Sequence, residues 1–225
     1  MTRTTYQNTL TGLRQGLLDL GHLVQQRLEL GLHALVRHDP ATGTLVQGGD
    51  RDIDQASAAI EQTCIDLLTL QQPVARDIRF VTAAFRITTD LERIGDLSVN
   101  LADYATDSET LSMVPPQRIE QVGRVGIEML ADAIRAFAED NVFLANAVIR
   151  RDDELDELAW STTKAFLEAM HHAGRRAWDD ATAKRHAEEA LPVLLSMRDL
   201  ERVGDHAVNI ARRVVYIVTG DDGHG

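Results

Sequence analysis

Apolar residues recur every three to four positions between residues 6 and 37, at Leu10, Leu13, Leu17, Leu20, Val24, Leu28, Leu32 and Leu35. That spacing is one buried stripe on an α-helix. The stripe stops at Asp39-Pro40, because proline cannot donate to a helical ladder and disfavours helix at the residue before it. Residues 39–49, with Gly43 and Gly48-Gly49, read as irregular or only briefly helical. Asp50 suits the start of a helix reaching about Gln71, and Pro73 opens another that runs to about Tyr104.

Pro115-Pro116 is the strongest interruption, and the plan restarts beyond it. A long helix is expected from about 116 to 149, a second from 152 to 172, a polar connection holding Gly174, and a last helix from about 181 to 218. Long amphipathic helices with short connections imply an all-α chain of two antiparallel three-helix bundles, placed end to end or side by side. The boundaries that follow are 1–112 and 113–219, with Gly-Asp-Asp-Gly-His-Gly at 220–225 as a disordered tail. Only 4% of residues are aromatic and five are proline, a composition suited to helices and not to a sheet.

The halves also repeat in detail. Residues 90–102, Asp-Leu-Glu-Arg-Ile-Gly-Asp-Leu-Ser-Val-Asn-Leu-Ala, align with 199–211, Asp-Leu-Glu-Arg-Val-Gly-Asp-His-Ala-Val-Asn-Ile-Ala. Glu92, Asp96 and Asn100 recur as Glu201, Asp205 and Asn209. With Leu91 set at zero and about 100° per residue, Ile94, Ser98, Leu101 and Ala102 centre near 330°, whereas Glu92, Asp96, Asn100 and Asp103 fall between about 100° and 180°. The acidic stripe therefore points away from its own bundle core.

Carboxylates at i and i+4 share a helix face and repel one another unless a cation lies between them. Solvation explains a single such pair, but it does not require Glu and then Asp at one spacing in both halves. Nor does it require glycine between them, at Gly95 and Gly204, where the helix loses about 1 kcal/mol relative to alanine. Close approach of another backbone or a bound group accounts for those glycines, and tight helix packing is the structural alternative. Asp50 and Asp54, and Asp152 and Asp156, open the middle helix of each half, with Ile53 and Leu155 at matching apolar positions. Asp50, Asp54 and Glu61 lie on a flank about 90° from the core face, where they can meet a neighbour's acidic stripe. Acidic residues at a helix start also offset the macrodipole, so these pairs have a second explanation.

The candidate metal ligands are thus Glu92, Asp96, Glu201, Asp205, Asp50, Asp54, Asp152 and Asp156. Asn100, Asn209, Asp103 and Glu61 are possible further or supporting groups. An all-oxygen donor set favours hard cations such as Mg, Mn, Ca or iron over zinc held by His and Cys. His206 lies about 100° round the helix from Asp205, which places it at a boundary and not in the ligand set.

The net charge of −12 is shared evenly between the halves and leaves no basic footprint for nucleic acid or for an anionic membrane. Cys64 is the sole cysteine, so neither an intrachain disulfide nor a Cys-rich metal site is available. No apolar run approaches the roughly 18 residues of a spanning helix, and the expectation is a soluble, cytoplasmic protein. No phosphate-cradling glycine loop occurs, nor any recognisable nucleophile-base arrangement. Arg76, Arg79 and Arg86, on the helix of the first motif, are candidate contacts to a partner's acidic segment.

Leu91-Glu92-Arg93-Ile94-Gly95-Asp96, Leu200-Glu201-Arg202-Val203-Gly204-Asp205-His206-Ala207 and Gln72-Pro73-Val74-Ala75-Arg76-Asp77-Ile78-Arg79 closely resemble motifs of the PhoU family of bacterial phosphate-uptake regulators. The resemblance implies two PhoU-type three-helix bundles with multinuclear metal clusters, iron or zinc among them, held on the bundle surface by these motifs. It also implies a homodimeric, non-enzymatic regulator that damps the phosphate-starvation response through a phosphate ABC transporter and its sensor histidine kinase. It would sit in the cytoplasm, or peripherally at the inner membrane through those partners. Other readings are an accessory to a low-affinity phosphate permease, a metal-dependent enzyme, or a metal-free adaptor whose carboxylates meet basic partner surfaces. Residues 39–49 depart from the family pattern, and Arg212 stands opposite Asp103 and Thr163 opposite Glu61, so two inequivalent sites are expected.

Overall fold

The computed structural model describes the backbone of residues 3–70, 75–105, 114–174 and 180–221. Seven helices occur among them: α1 (Arg3–Arg37), α2 (Pro40–Gly48), α3 (Asp50–Leu70), α4 (Ala75–Tyr104), α5 (Pro116–Glu139), α6 (Val142–Gly174) and α7 (Asp180–Thr219). The positions where Pro73 was to open α4, the 175–179 connection and residues 222–225 of the expected tail lie outside the described residues.

Helices α1, α3 and α4 pack on one another, as do α5, α6 and α7, giving two three-helix bundles. They stand side by side, with α1 against α5 and α4 against α7. The periodic leucines explain this: Leu17, Leu20, Leu28 and Leu35 of α1 are all buried within a core that also holds Leu91 and Leu101 of α4, Met129 of α5 and Val203 and Ile210 of α7. Each such side chain stabilises the fold by about 1.5–3 kcal/mol on burial. Cys64 is part of this core, and burial, with a smaller contribution from Glu61, pushes its thiol up to about 12.

The 39–49 segment is briefly helical. Asp39 caps α2, accepting from the amides of Ala41 at 3.0 Å and Thr42 at 3.3 Å and from the Thr42 hydroxyl at 2.7 Å. Those hydrogen bonds hold the Asp39 carboxyl below its ordinary range. Pro40 occupies the first turn, where a missing amide hydrogen leaves nothing unsatisfied. The short helix lies over α1 and α4.

The second half corrects the expected helix from 116 to 149 and the next from 152. The chain turns at Asp140-Asn141, so that α5 ends at Glu139 and α6 begins at Val142. Asp140 adopts the left-handed conformation, φ 49° and ψ 38°, and its amide donates to the Ala136 carbonyl. Asn141 donates its amide to that same carbonyl at 2.9 Å, and its side chain accepts from the Leu144 amide at 3.0 Å. Asp and Asn tolerate this conformation and cap helices, whereas the apolar spacing continues unbroken across the turn.

Arg14 of α1 secures the turn from the other bundle. It donates to the Phe137 carbonyl at 2.8 Å and to Asp140 at 2.9 Å, and lies 5.0 Å and 5.3 Å from the ring centres of Phe137 and Phe80. One guanidinium thus joins α1, α4 and α5.

Candidate metal centres

The two glycines of the repeat decide how close the acidic helices lie. A Cβ on Gly204 would stand 2.3 Å from Leu155 Cδ2 and 3.5 Å from Asp152 Oδ1, and one on Gly95 would stand 3.0 Å from Ile53 Cδ1. Tight helix packing is therefore their role: each receives the apolar side chain flanked by the aspartates of the facing helix. Asp152 and Asp156 of α6 are brought against Glu201 and Asp205 of α7, and Asp54 and Glu61 of α3 against Glu92 of α4, whereas Asp96 pairs with Arg93 of its own helix at 3.5 Å and lines a recess with Asn100 and Arg202. Asp50 begins α3, but its side chain lies outside the described ones.

The carboxylates raise one another's affinity for protons. Burial, then Asp156 and Asp205, hold Asp152 above the ordinary carboxylate range, against the opposing pull of Arg212. Asp156 is raised by burial and then by Asp205 and Asp153. Glu201 is raised by burial and then by Asp156, Asp205 and Asp152, with Arg198 opposing. In the first half, Glu92 is raised by burial, then by Asp96 and Glu61, with Arg93 opposing and a smaller effect from Asp54. Partial desolvation and like charge act in the same direction on an acid.

Asp152 offers the most direct test of whether a cation fits, since its Oδ1 is buried and has no hydrogen-bond partner among the described residues. Such an atom is destabilising by about 1–3 kcal/mol. The donors are hard oxygens, which suits a polyvalent cation. Among the described residues, however, no three His, Cys, Asp or Glu side chains converge into a ready-made cage. The helices deliver the carboxylates to mutual repulsion without closing a coordination shell.

The remaining candidates are placed elsewhere. Asp103 accepts a hydrogen bond from Gln47 of α2. Asn100 and Asn209 face the opposite bundle: Asn100 donates to Asp199 at 3.1 Å, and Asn209 donates to Asp90 at 3.3 Å. Asp90 and Asp199 are the first residues of the two repeat copies, so the repeat also encodes a reciprocal lock between antiparallel α4 and α7. Tyr104 adds a 2.9 Å hydrogen bond to Asp199, which is only 4% exposed; burial and then this bond push the Tyr104 phenol up to about 12. On the other side His206 Nδ1 lies 2.9 Å from Asp90 Oδ1, a boundary role in keeping with its angle on the helix. A wheel drawn for one bundle cannot see this face, because it omits the second bundle.

The arginines separate as well. Arg76 is exposed in a recess beside Arg14 and Asp77, whereas Arg86 lines a different recess between α4 and α7. Arg79 is partly buried, with its Nε unpartnered.

The chain matches a family model described as the PhoU domain twice, over residues 17–105 and 119–214. It is 30% identical over 220 residues, 97% of each chain, to a "Phosphate-specific transport system accessory protein PhoU homolog" of Streptococcus pneumoniae. A Synechocystis protein of the same description is 31% identical over 222 residues, 97% of this chain and 93% of that protein. The crystal structure of PhoU from Pseudomonas aeruginosa superposes with a TM-score of 0.85 at 28% identity, covering 96% of this chain and all of that one. The phosphate transport system regulatory protein PhoU from S. pneumoniae superposes at 0.84 and 28%, covering 96% and 98%.

Proposed function

The chain belongs to the PhoU family, and from that premise we propose that it is an accessory regulator of a phosphate transport system, working through metal ions held at its two acidic helix pairs. The observation that carries the metal reading is the pairing of two carboxylate helices in each half, with acids raised above their ordinary range and one buried carboxylate oxygen unpartnered. Asp152, Asp156, Glu201 and Asp205 would hold cations in the second half, and Asp54, Glu61, Glu92 and Asp96, with Asp50, in the first. A bound polyvalent cation supplies positive charge that removes the repulsion and offers open coordination positions to a partner's acidic groups. The resident metal is iron or zinc by the resemblance, or Mg, Mn or Ca by ligand type.

The protein is non-enzymatic on this reading and works in the cytoplasm as a homodimer. No helix among the described residues is long and apolar enough to cross a membrane, so membrane association runs through the phosphate ABC transporter and its sensor histidine kinase. Docking there lowers kinase output when phosphate is plentiful. Deleting the gene should release a phosphate-regulated reporter in phosphate-rich medium, and unchanged repression would overturn the proposal.

A second reading draws on the open arrangement of the carboxylates, no three of which converge among the described residues. In it the stripes bind basic partner surfaces without metal. Elemental analysis of protein purified without chelator separates the two, because only the first retains a stoichiometric metal.

A further inference from the structure

The α4–α7 seam has a feature of opposite chemistry to the acidic clusters. A recess of about 280 Å3 is lined by Thr82, Ala83, Arg86, Arg213 and Tyr216, with no carboxylate among them. Arg79, whose carbonyl accepts from the Thr82 hydroxyl at 3.1 Å, lies beyond this lining with its guanidinium at the end of α7, where a Cβ on Gly220 would stand 3.5 Å from the guanidinium carbon. The Nε atoms of both Arg79 and Arg213 are buried without a hydrogen-bond partner. None of the three arginines has an acidic partner among the described residues, although the chain carries 35 acidic residues against 23 basic ones. Asp90, the next acid along α4, is already held by His206 and Asn209.

Gathering guanidinium groups around a recess without a counter-ion is unfavourable in itself. An oxyanion reverses this, because a guanidinium presents a planar fork of donors that matches two oxygens of a tetrahedral phosphoryl group. Thr82 does not compete as a donor, since its hydroxyl already donates to the Ile78 carbonyl at 2.8 Å. The Tyr216 hydroxyl has no partner among the described residues and remains available to donate.

We propose that this recess binds a phosphate-class oxyanion, held by Arg86 and Arg213 with Arg79 at its edge. A recess of this size suits a small anion better than the broad face of a protein, and it lies where the two bundles meet. Its occupancy would therefore stabilise the α4–α7 seam.

The inference deepens the phosphate-system reading but rests on the arginines alone. It is accordingly tested on chelator-treated, full-length protein, so that metal at the acidic clusters cannot bind the anion. Potassium orthophosphate, and in a second arm ATP, is titrated calorimetrically at constant ionic strength. One saturable site per chain is expected. Arg86→Gln and Arg213→Gln should each weaken it by at least about tenfold, or 1.4 kcal/mol, and the double variant should show no binding. Arg135→Gln, which removes a partner of Asp132 on α5, should leave it unchanged. Arg213→Lys should retain part of the affinity, because charge persists while the fork is lost. Binding of orthophosphate marks a free anion as the ligand, and binding of ATP alone through the same arginines marks a phosphoryl group carried on a larger molecule. Should a variant fail to fold, protection of Arg86 and Arg213 in the wild type from phenylglyoxal by orthophosphate gives the same answer. Absence of saturable binding in both arms, or binding that survives the double variant, would overturn the proposal.

Discussion

The α3–α4 and α6–α7 pairs use one packing device to build two electrostatically different surfaces. In both, a glycine on the last helix receives an apolar side chain that sits between two aspartates of the middle helix. In the second half the fit is tighter, 2.3 Å against 3.0 Å to the nearest side-chain atom, and three carboxyls are raised where the first half raises one. The first half has Glu61 where the second has Thr163, and Asp103 where the second has Arg212, which opposes the rise at Asp152. Desolvation is the first cause at all four raised groups, and in the second half the Asp205 carboxylate presses on all three of them.

The largest predicted difference lies in the glycines. Gly204→Ala must displace Leu155, which is fully buried, and the about 1–3 kcal/mol of overpacking, less about 1 kcal/mol of helix propensity, should destabilise the protein by up to about 2 kcal/mol. Gly95→Ala meets Ile53 less closely, at 3.0 Å from Cδ1 and 3.4 Å from Cγ2, and about 1 kcal/mol of helix propensity offsets the strain, so its net effect should stay within about 1 kcal/mol. Urea unfolding of both variants checks this, and equal losses would break the distinction.

Next comes the inter-bundle lock, where the same comparison applies across the seam. Asp199→Ala leaves Asn100 and Tyr104 without their acceptor and should destabilise by about 1–3 kcal/mol. Asp90→Ala strands His206 and Asn209, whose sites are less enclosed: the His206 and Asp90 side chains are 18% and 14% exposed against 6% for that of Asp199. Its loss should be the smaller of the two in thermal melts.

A smaller effect, of opposite sign, is expected at the carboxylates. Asp152→Asn removes a raised, partly desolvated charge and should raise the melting temperature of chelated protein by about 2–4 °C, the response to about 1 kcal/mol in a chain of this size. Glu92→Gln should give a smaller rise.

The smallest effect is the pH dependence. Acids raised in the folded state bind more protons there than in the unfolded chain, so their contribution to stability is present below the ordinary carboxylate range. It is lost as pH rises through the raised values. Chelated protein should lose stability over that window. Asn and Gln at Asp152, Asp156 and Glu201 should flatten the loss more than Gln at Glu92, as melting curves across acidic to neutral pH would show.

Much of this was legible in the chain. The period of Leu10 through Leu35 marked α1, and the doubled Asp-Leu-Glu-Arg-x-Gly-Asp marked both the duplication and the carboxylates that meet. Gly95 and Gly204 pointed to close approach, although only the facing Ile53 and Leu155 identified what approached. The rest depends on neighbours absent from a single-helix wheel. Asn100 and Asn209 share the face of the acidic stripe but reach the other bundle. Arg213 joins Arg79 and Arg86 only because α7 runs antiparallel to α4. The turn at Asp140-Asn141 was hidden by apolar spacing that runs through it, and the Asp-Asn pair was its one local signal.

The central claim is that both helix pairs hold metal, and element-specific anomalous scattering from crystals of protein purified without chelator tests it most directly. Anomalous peaks should lie between α3 and α4 beside Glu92 and Asp96, and between α6 and α7 beside Asp152 and Asp205. Crystals with no anomalous peak at either helix pair, or with metal bound only at other positions, would contradict it.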